Sequence, residues 1–302
     1  MNMHRPQRLL ANRWIVVALI GLFGLQFSVT SAVAQDGSSA EEVRIKKKKV
    51  QQMFNKGKKA AQSDNYGQAA DTFEQALSLA REVEWEQAIQ MSQDFLVKSL
   101  TQAGTKANKQ ENYEQAVSYY NRALKYVDND PSVHYNRGLA LINIEDRTEA
   151  GLEALQKAVD IGNQTGNTRV AGRATERIRS EFLAKASKAL QGDNPSQEQI
   201  NAALDALDKM REYVDPSAKS LFYRATALSK DGEHQQAIQT AREGLNMHQG
   251  SRSDAAKYYY VIGESQFTLG SKAEACQTFK NAAYGDYEAR ASHYLKNECD
   301  DL

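Results

Sequence analysis

An all-α superhelix of stacked helix pairs, closed by a C-terminal capping helix, is the fold class this sequence predicts. Three observations lead there. Ala, Gln, Glu, Lys and Leu are plentiful while only 4 prolines occur in 302 residues, so most of the chain favours helix and little interrupts it. Apolar residues recur at i, i+4 and i+7 in segment after segment, the spacing that places them on one helix face. Small residues return at a fixed interval, first between Gly104 and Gly138, 34 positions apart.

The first segment reads as an address rather than as structure. Residues 1–34 follow the three-part pattern of a secretory signal peptide. His4, Arg5, Arg8 and Arg13 form a basic head, an apolar run follows from Trp14 to Phe27, and Ser31-Ala32-Val33-Ala34 predicts cleavage between Ala34 and Gln35. Gly21, Gly24 and Gln26 break the apolar run, which is shorter than the ~20 residues a membrane-spanning helix needs. No Cys stands at the cleavage site to carry a lipid. The expected mature chain is exported, and periplasmic if the source is a Gram-negative bacterium. Residues 35–44 are small and polar at their start and are expected to form a flexible leader.

Composition limits the partners. The chain is 41% hydrophobic and 25% charged with a mean hydropathy of -0.64, which suits a soluble globular protein. Its 38 basic and 38 acidic residues cancel, and removal of Arg5, Arg8 and Arg13 would leave a net charge of −3. Nucleic-acid binders carry a basic excess, so none is expected here.

The elements follow in order. Gly57 sits where two helices approach closely, and Tyr66, Ala69, Phe73 and Ala76 follow on a second helix. Gly104, Tyr113, Ala116, Tyr120 and Ala123 repeat those offsets. Gly138, Gly151, Leu155 and Ala158 give a third unit with a turn one residue longer, opened by Pro131 in a first helical turn. Val170, Ala174, Ile178, Phe182 and Ala186 mark a long helix, which Gly192-Asp193-Asn194-Pro195 ends. Ile200, Ala203, Leu207 and Met210 mark the next. A fifth unit opens near Pro216, with Ala225 in the glycine position and Ala237, Ala241 and Gly244 after it. A sixth has Tyr259, Gly263, Ala275, Phe279 and Ala282, and Asp286 to Asn297 reads as the capping helix. Between the first two units, Trp85, Ala88, Ile89, Ser92, Phe95, Leu96, Leu100 and Ala103 keep helical spacing without a break, which predicts one long helix from about Glu84 to Lys109.

These residues resemble the tetratricopeptide repeat family over roughly residues 45–297. The resemblance divides the chain into repeats 1–3 over 45–164, a degenerate unit over 165–214, and C-terminal repeats with the capping helix over 215–302. It also implies a concave face used for binding protein or peptide partners. Mapped by repeat register, that face holds Asn55 and Lys58, then Thr101, Gln102 and Thr105, then Tyr135 and Asn136. Phe222, Tyr223 and Thr226 follow, and last Tyr260 and Glu264. Aromatic and amide side chains suit an extended peptide or an amphipathic helix. The alternative is that Tyr135, Phe222 and Tyr260 pack between helices. The basic residues with which some members of the family hold a C-terminal carboxylate are not at the matching positions, so that activity is not implied.

Cys276 lies near the start of the last repeat's second helix and Cys299 just past the capping helix that should fold back beside it. The expectation is a disulfide, the alternative two separate thiols. No catalytic or metal-binding constellation is visible. His134, His234, His248 and His293 are scattered, with His134 expected at a packing position and His234 in a turn. No cofactor is expected, and the chain reads as a non-enzyme. Arg169, Arg173 and Arg177 recur every four residues along one helix face, beside Glu176 and Glu181. Arg179 points elsewhere. The expected reading of that ridge is a solvated face, with an acidic partner as the alternative. Lys46 to Lys49 form a short basic run whose pull on an anionic envelope surface is weak in salt. Self-association in an envelope assembly is the second functional reading.

Overall fold

The computed structural model describes residues 32–192 and 194–299. Among them the chain forms thirteen α-helices, one 3₁₀ turn and no strand. In order the helices are α1 (Ala32–Gln62), α2 (Tyr66–Glu82), α3 (Glu86–Lys109), α4 (Tyr113–Leu124), α5 (Pro131–Ile142) and α6 (Thr148–Gln164). They continue with α7 (Thr168–Ala189), α8 (Gln197–Arg211), α9 (Ala218–Lys230), α10 (His234–Met247), α11 (Arg252–Thr268), α12 (Lys272–Ala282) and α13 (Glu288–Asn297). His234, expected in a turn, is the first residue of α10.

Two departures from expectation have local causes. Residues 35–44, expected as a flexible leader, lie within α1. Glu41 pairs with Arg44 at 2.8 Å and Glu42 with Lys46 at 3.1 Å, at spacings that support a helix. Lys46 also reaches Glu82 of α2 at 3.5 Å, which ties this turn of α1 to its partner. The basic head and apolar run of the expected signal peptide lie outside the described residues. The long helix expected from about Glu84 starts at Glu86 as α3, because Glu84 adopts a positive φ of 49° in the turn before it.

Each consecutive pair of helices packs antiparallel, and each pair packs on the next. A repeated contact sets the register. A β-carbon on Gly57 would lie 2.8 Å from Cε1 of Phe73, one on Gly104 2.6 Å from Tyr120, and one on Gly263 2.9 Å from Phe279. In the third unit Gly138 meets Leu155 at 2.8 Å in the same way. The rings of Phe73, Tyr120 and Phe279 are fully buried. A small residue on the first helix of a pair thus admits a large one from the second, and the pair closes to backbone distance. In the fifth unit Ala225 and Ala241 share the task, both fully buried.

Caps and turns delimit the helices. Ser196, Ser217 and Ser251 each close a capping box at the start of α8, α9 and α11. Asp130 accepts from the Ser132 amide at 2.8 Å ahead of Pro131, which occupies the first helical turn. In all six pairs the turn between the two helices has one residue in the left-handed region. Gly192, Gly232 and Gly270 supply it in three, while Asp64, Glu111 and Asp146 take it with φ of 56°, 62° and 57° in the others.

The odd-numbered helices also touch one another in sequence, from α1·α3 to α9·α11, and the even-numbered helices make no comparable contact. The stack therefore curves with its odd helices inside.

Candidate functional site

The inner layer carries a trough that runs from α7 to α13 in three connected cavities. Between α7 and α9, about 540 Å³ is lined by Arg179, Ser180, Leu183, Ser187, Lys219 and Tyr223 among others. The next, about 670 Å³, shares Ser187 and Tyr223 with it and adds Phe222, Thr226, Lys230, Tyr260, Glu264, Tyr287 and Arg290. The last, about 610 Å³, shares Tyr260 and Arg290 and ends on His293, Tyr294 and Glu298.

The floor is aromatic. Phe222 and Tyr223 lie with ring centroids 5.3 Å apart, and Tyr260 and Tyr287 5.2 Å apart. Lys257 Nζ stands 5.3 Å from the Phe222 ring. Tyr260 Oη donates to Glu264 Oε1 at 3.3 Å. Burial, then the nearby Glu264 charge, raises the Tyr260 phenol above its usual range, and burial does the same for Tyr287. Both phenols stay neutral near pH 7 and can donate or accept a hydrogen bond.

Of the groove residues expected from the sequence, the structure brings Phe222, Tyr223 and Tyr260 together, with Thr226 and Glu264. Asn55 lies elsewhere, on a cavity of about 300 Å³ between α1 and α3 with Phe54, Trp85, Met91 and Ser92, and Lys58 is exposed one turn further on. On α3, Gln102 is exposed and the Thr101 hydroxyl is spent on the Val97 carbonyl at 2.9 Å. Thr105 bonds its own helix at Thr101 and lies 3.3 Å from Tyr120 Oη. Tyr135, for which packing between helices was the alternative, is buried at 9% exposure. The Arg173 guanidinium lies 4.7 Å from its ring, and Arg173 Nη2 donates to its hydroxyl at 3.3 Å. Asn136 beside it is half-buried.

Of the arginine ridge on α7, Arg169 is exposed, while Arg173 and Arg177 have protein partners. Arg173 covers Tyr135, Arg177 pairs with Glu181, and Arg179, on the other flank, pairs with Glu176 and donates to the Asp215 carbonyl at 3.2 Å. Tyr287 and Arg290 escaped the sequence reading because they belong to the cap, where the repeat register gives no position to map. Cys276 and Cys299 are joined in a disulfide with their Cα atoms 5.8 Å apart, and the stacked rings of Phe279 and Tyr294, 4.4 Å between centroids, hold α13 on α12 beside it.

Among the described residues no group of three or more His, Cys, Asp and Glu is placed to hold a metal ion, and no helix is long and apolar enough to cross a membrane. A family profile described as TPR repeat matches residues 107–143, the end of α3 with α4 and α5. The chain contains a tetratricopeptide repeat. The contact of Gly104 with Tyr120, whose ring lies in the matched segment, recurs along the stack as Gly57 with Phe73 and Gly263 with Phe279. The whole is an all-α superhelix of helix pairs with a C-terminal capping helix. Among solved structures, the chain is similar to the P58(IPK) TPR domain at 14% identity and a TM-score of 0.34, covering 87% of this chain and 84% of that one. It is also similar to a tetratricopeptide repeat protein from Parabacteroides merdae at 15% identity and a TM-score of 0.32, covering 82% and 97%. No curated protein matches the chain.

Proposed function

We propose that this chain is an exported scaffold that holds a protein or peptide partner along its inner face and catalyses no reaction. The trough from α7 to α13 carries this reading: its cavities share lining residues from one to the next, and they present aromatic rings, hydroxyls and charged side chains along the inner face. Rings supply contact area at low entropic cost, and the polar groups between them can fix a backbone. Export is supported by the signal-type pattern of residues 1–34, with cleavage after Ala34, and by a disulfide, which suits an oxidising compartment such as a periplasm.

The test is photo-cross-linking in the native cell from Tyr223 and Tyr260, each replaced by a photoreactive residue, followed by mass spectrometry. One dominant partner joined at both positions supports the reading. Links only within the chain, or only to further copies of it, would retire the trough as a partner site. Self-association in an assembly is the second reading, favoured by Val43 and Ile45, which stand 39% and 58% exposed on the end helix α1. Light scattering over a range of concentrations separates the two, because only self-association makes the mass rise.

A further inference from the structure

The cavity between α1 and α3 stands apart from the trough and shares no lining residue with it. The sequence of α3 explains why it exists. Ala88, Ser92 and Phe95 follow one another on one helix face at i, i+4 and i+7, so two small side chains precede a large one. Phe95 closes against Phe54 of α1, with ring centroids 4.9 Å apart. Beside Ala88 and Ser92 the space stays open, walled by Val50, Phe54 and Trp85. At about 300 Å³ it falls at the lower end of small-molecule sites.

None of the side chains that line this cavity is ionisable. Lys47 stands on the Trp85 ring, 5.7 Å from the centroid, and is not part of the lining. Ser92 is fully buried, and its hydroxyl has no hydrogen-bond partner among the described residues. Other hydroxyls of α3 are satisfied by their own helix: Thr101 and Thr105 each donate to the carbonyl four residues back, at 2.9 Å. A buried hydroxyl left unpaired is costly, and an oxygen on a molecule in the cavity would answer it.

We propose that this cavity binds a small, neutral aromatic molecule carrying one hydroxyl or carbonyl oxygen. Its ring lies against Trp85 and Phe54 with the Met91 thioether beside it, and its oxygen meets Ser92 Oγ. Aromatic walls and a polarisable sulfur favour a ring over an aliphatic chain. An uncharged lining disfavours carboxylates and amines, which would lose water without gaining a counter-ion. The site is independent of the partner reading, which rests on the other half of the stack.

The test is NMR of the full chain with isotope-labelled methionine methyl groups, titrated with p-cresol, toluene and p-toluate. Met91, 41% exposed on the rim, should shift as a ring enters, while Met210 on α8 and Met247 on α10 stay in place. Binding of p-cresol is expected below about 1 mM and about tenfold tighter than toluene, with p-toluate weaker than both. Ser92→Ala should bring p-cresol to the level of toluene and leave toluene unchanged. Ala88→Leu should fill the cavity and abolish both, with thermal melts showing that each variant folds. No shift of Met91 with p-cresol overturns the site. Equal binding of p-cresol and toluene to the parent chain overturns the role of Ser92, and p-toluate binding as tightly as p-cresol overturns the choice of a neutral ligand. A blocked peptide with a single Tyr that binds tighter than p-cresol overturns the small-molecule assignment and makes the cavity an anchor for a side chain.

Discussion

Gly104 leaves no room for a side chain beside Tyr120: a β-carbon there would lie 2.6 Å from Cε1 of the ring and 2.8 Å from Cζ. Because the ring is fully buried it has nowhere to retreat. Gly104→Ala is expected to cost about 1–3 kcal/mol in denaturant unfolding, the range for overpacking a close-packed site. In a Tyr120→Leu background the same change should cost at least about 1 kcal/mol less, since the two positions are in direct contact. Equal cost in both backgrounds would mean that the helix spacing is set elsewhere.

Glu111 holds a φ of 62° in the turn between α3 and α4, where Gly232 and Gly270 stand in the equivalent turns of later pairs. A side chain in the left-handed region costs about 1–2 kcal/mol, and glycine gives back part of that through the freedom of the unfolded chain. Glu111→Gly should therefore raise stability by up to about 1 kcal/mol, and Gly232→Ala should lower it by about the same. A urea titration of each variant decides it, and a destabilised Glu111→Gly would show that its side chain contributes more than its backbone strain.

The bond between Cys276 and Cys299 closes a loop with a sequence separation of 23. Its removal is expected to cost about 3 kcal/mol in the chain-entropy model. The loss should be local. After reduction, hydrogen exchange should quicken across α13 while α1 to α10 keep their protection, because the cap is then held only by non-covalent contacts such as Tyr294 on Phe279 and the buried Ala291. Uniform quickening along the whole stack would show that the repeats unfold as one unit.

His134 is buried on α5, with Nε2 2.8 Å from the Asp128 carbonyl and Nδ1 buried without a partner. Burial holds its pKa below the usual histidine value. Lys157 and Arg137 push the same way, against the Asp128 bond and the Asp130 charge. The folded chain thus binds a proton less readily than the unfolded chain. The contribution is fully present above the unfolded value of about 6.5 and is lost as pH falls from there through the folded value. The slope cannot exceed about 1.4 kcal/mol per pH unit for one group. Chemical denaturation between pH 7.5 and pH 5 should show a flatter loss for His134→Gln than for the parent chain, and parallel curves would exclude this histidine.

The stack itself was legible because its contacts are repeated. Gly57 with Phe73, Gly104 with Tyr120 and Gly263 with Phe279 are the same pair at the same separation, and periodicity exposes them without coordinates. Phe222, Tyr223 and Tyr260 were legible for that reason too. What was not repeated was not visible. Tyr287 and Arg290 enter the trough from a cap with no register, and Tyr135 is covered by an arginine 38 positions away. The left-handed turns were hidden as well, because Asp64, Glu111 and Asp146 lack the glycine that would announce them. In 35–44, small polar residues suggested a loop, whereas two short ion pairs and the contact of Lys46 with Glu82 make it helix.

The seven odd-numbered, inner helices hold 25 Lys and Arg against 10 Asp and Glu. Curvature brings these helices closer together than the outer ones, so net repulsion among their charges would oppose further bending, as a spring that holds the arc open. Counterions relax that spring. Small-angle scattering should find the radius of gyration shrinking as salt is added with helix content unchanged, so that the width of the inner channel is set by the ionic strength around it.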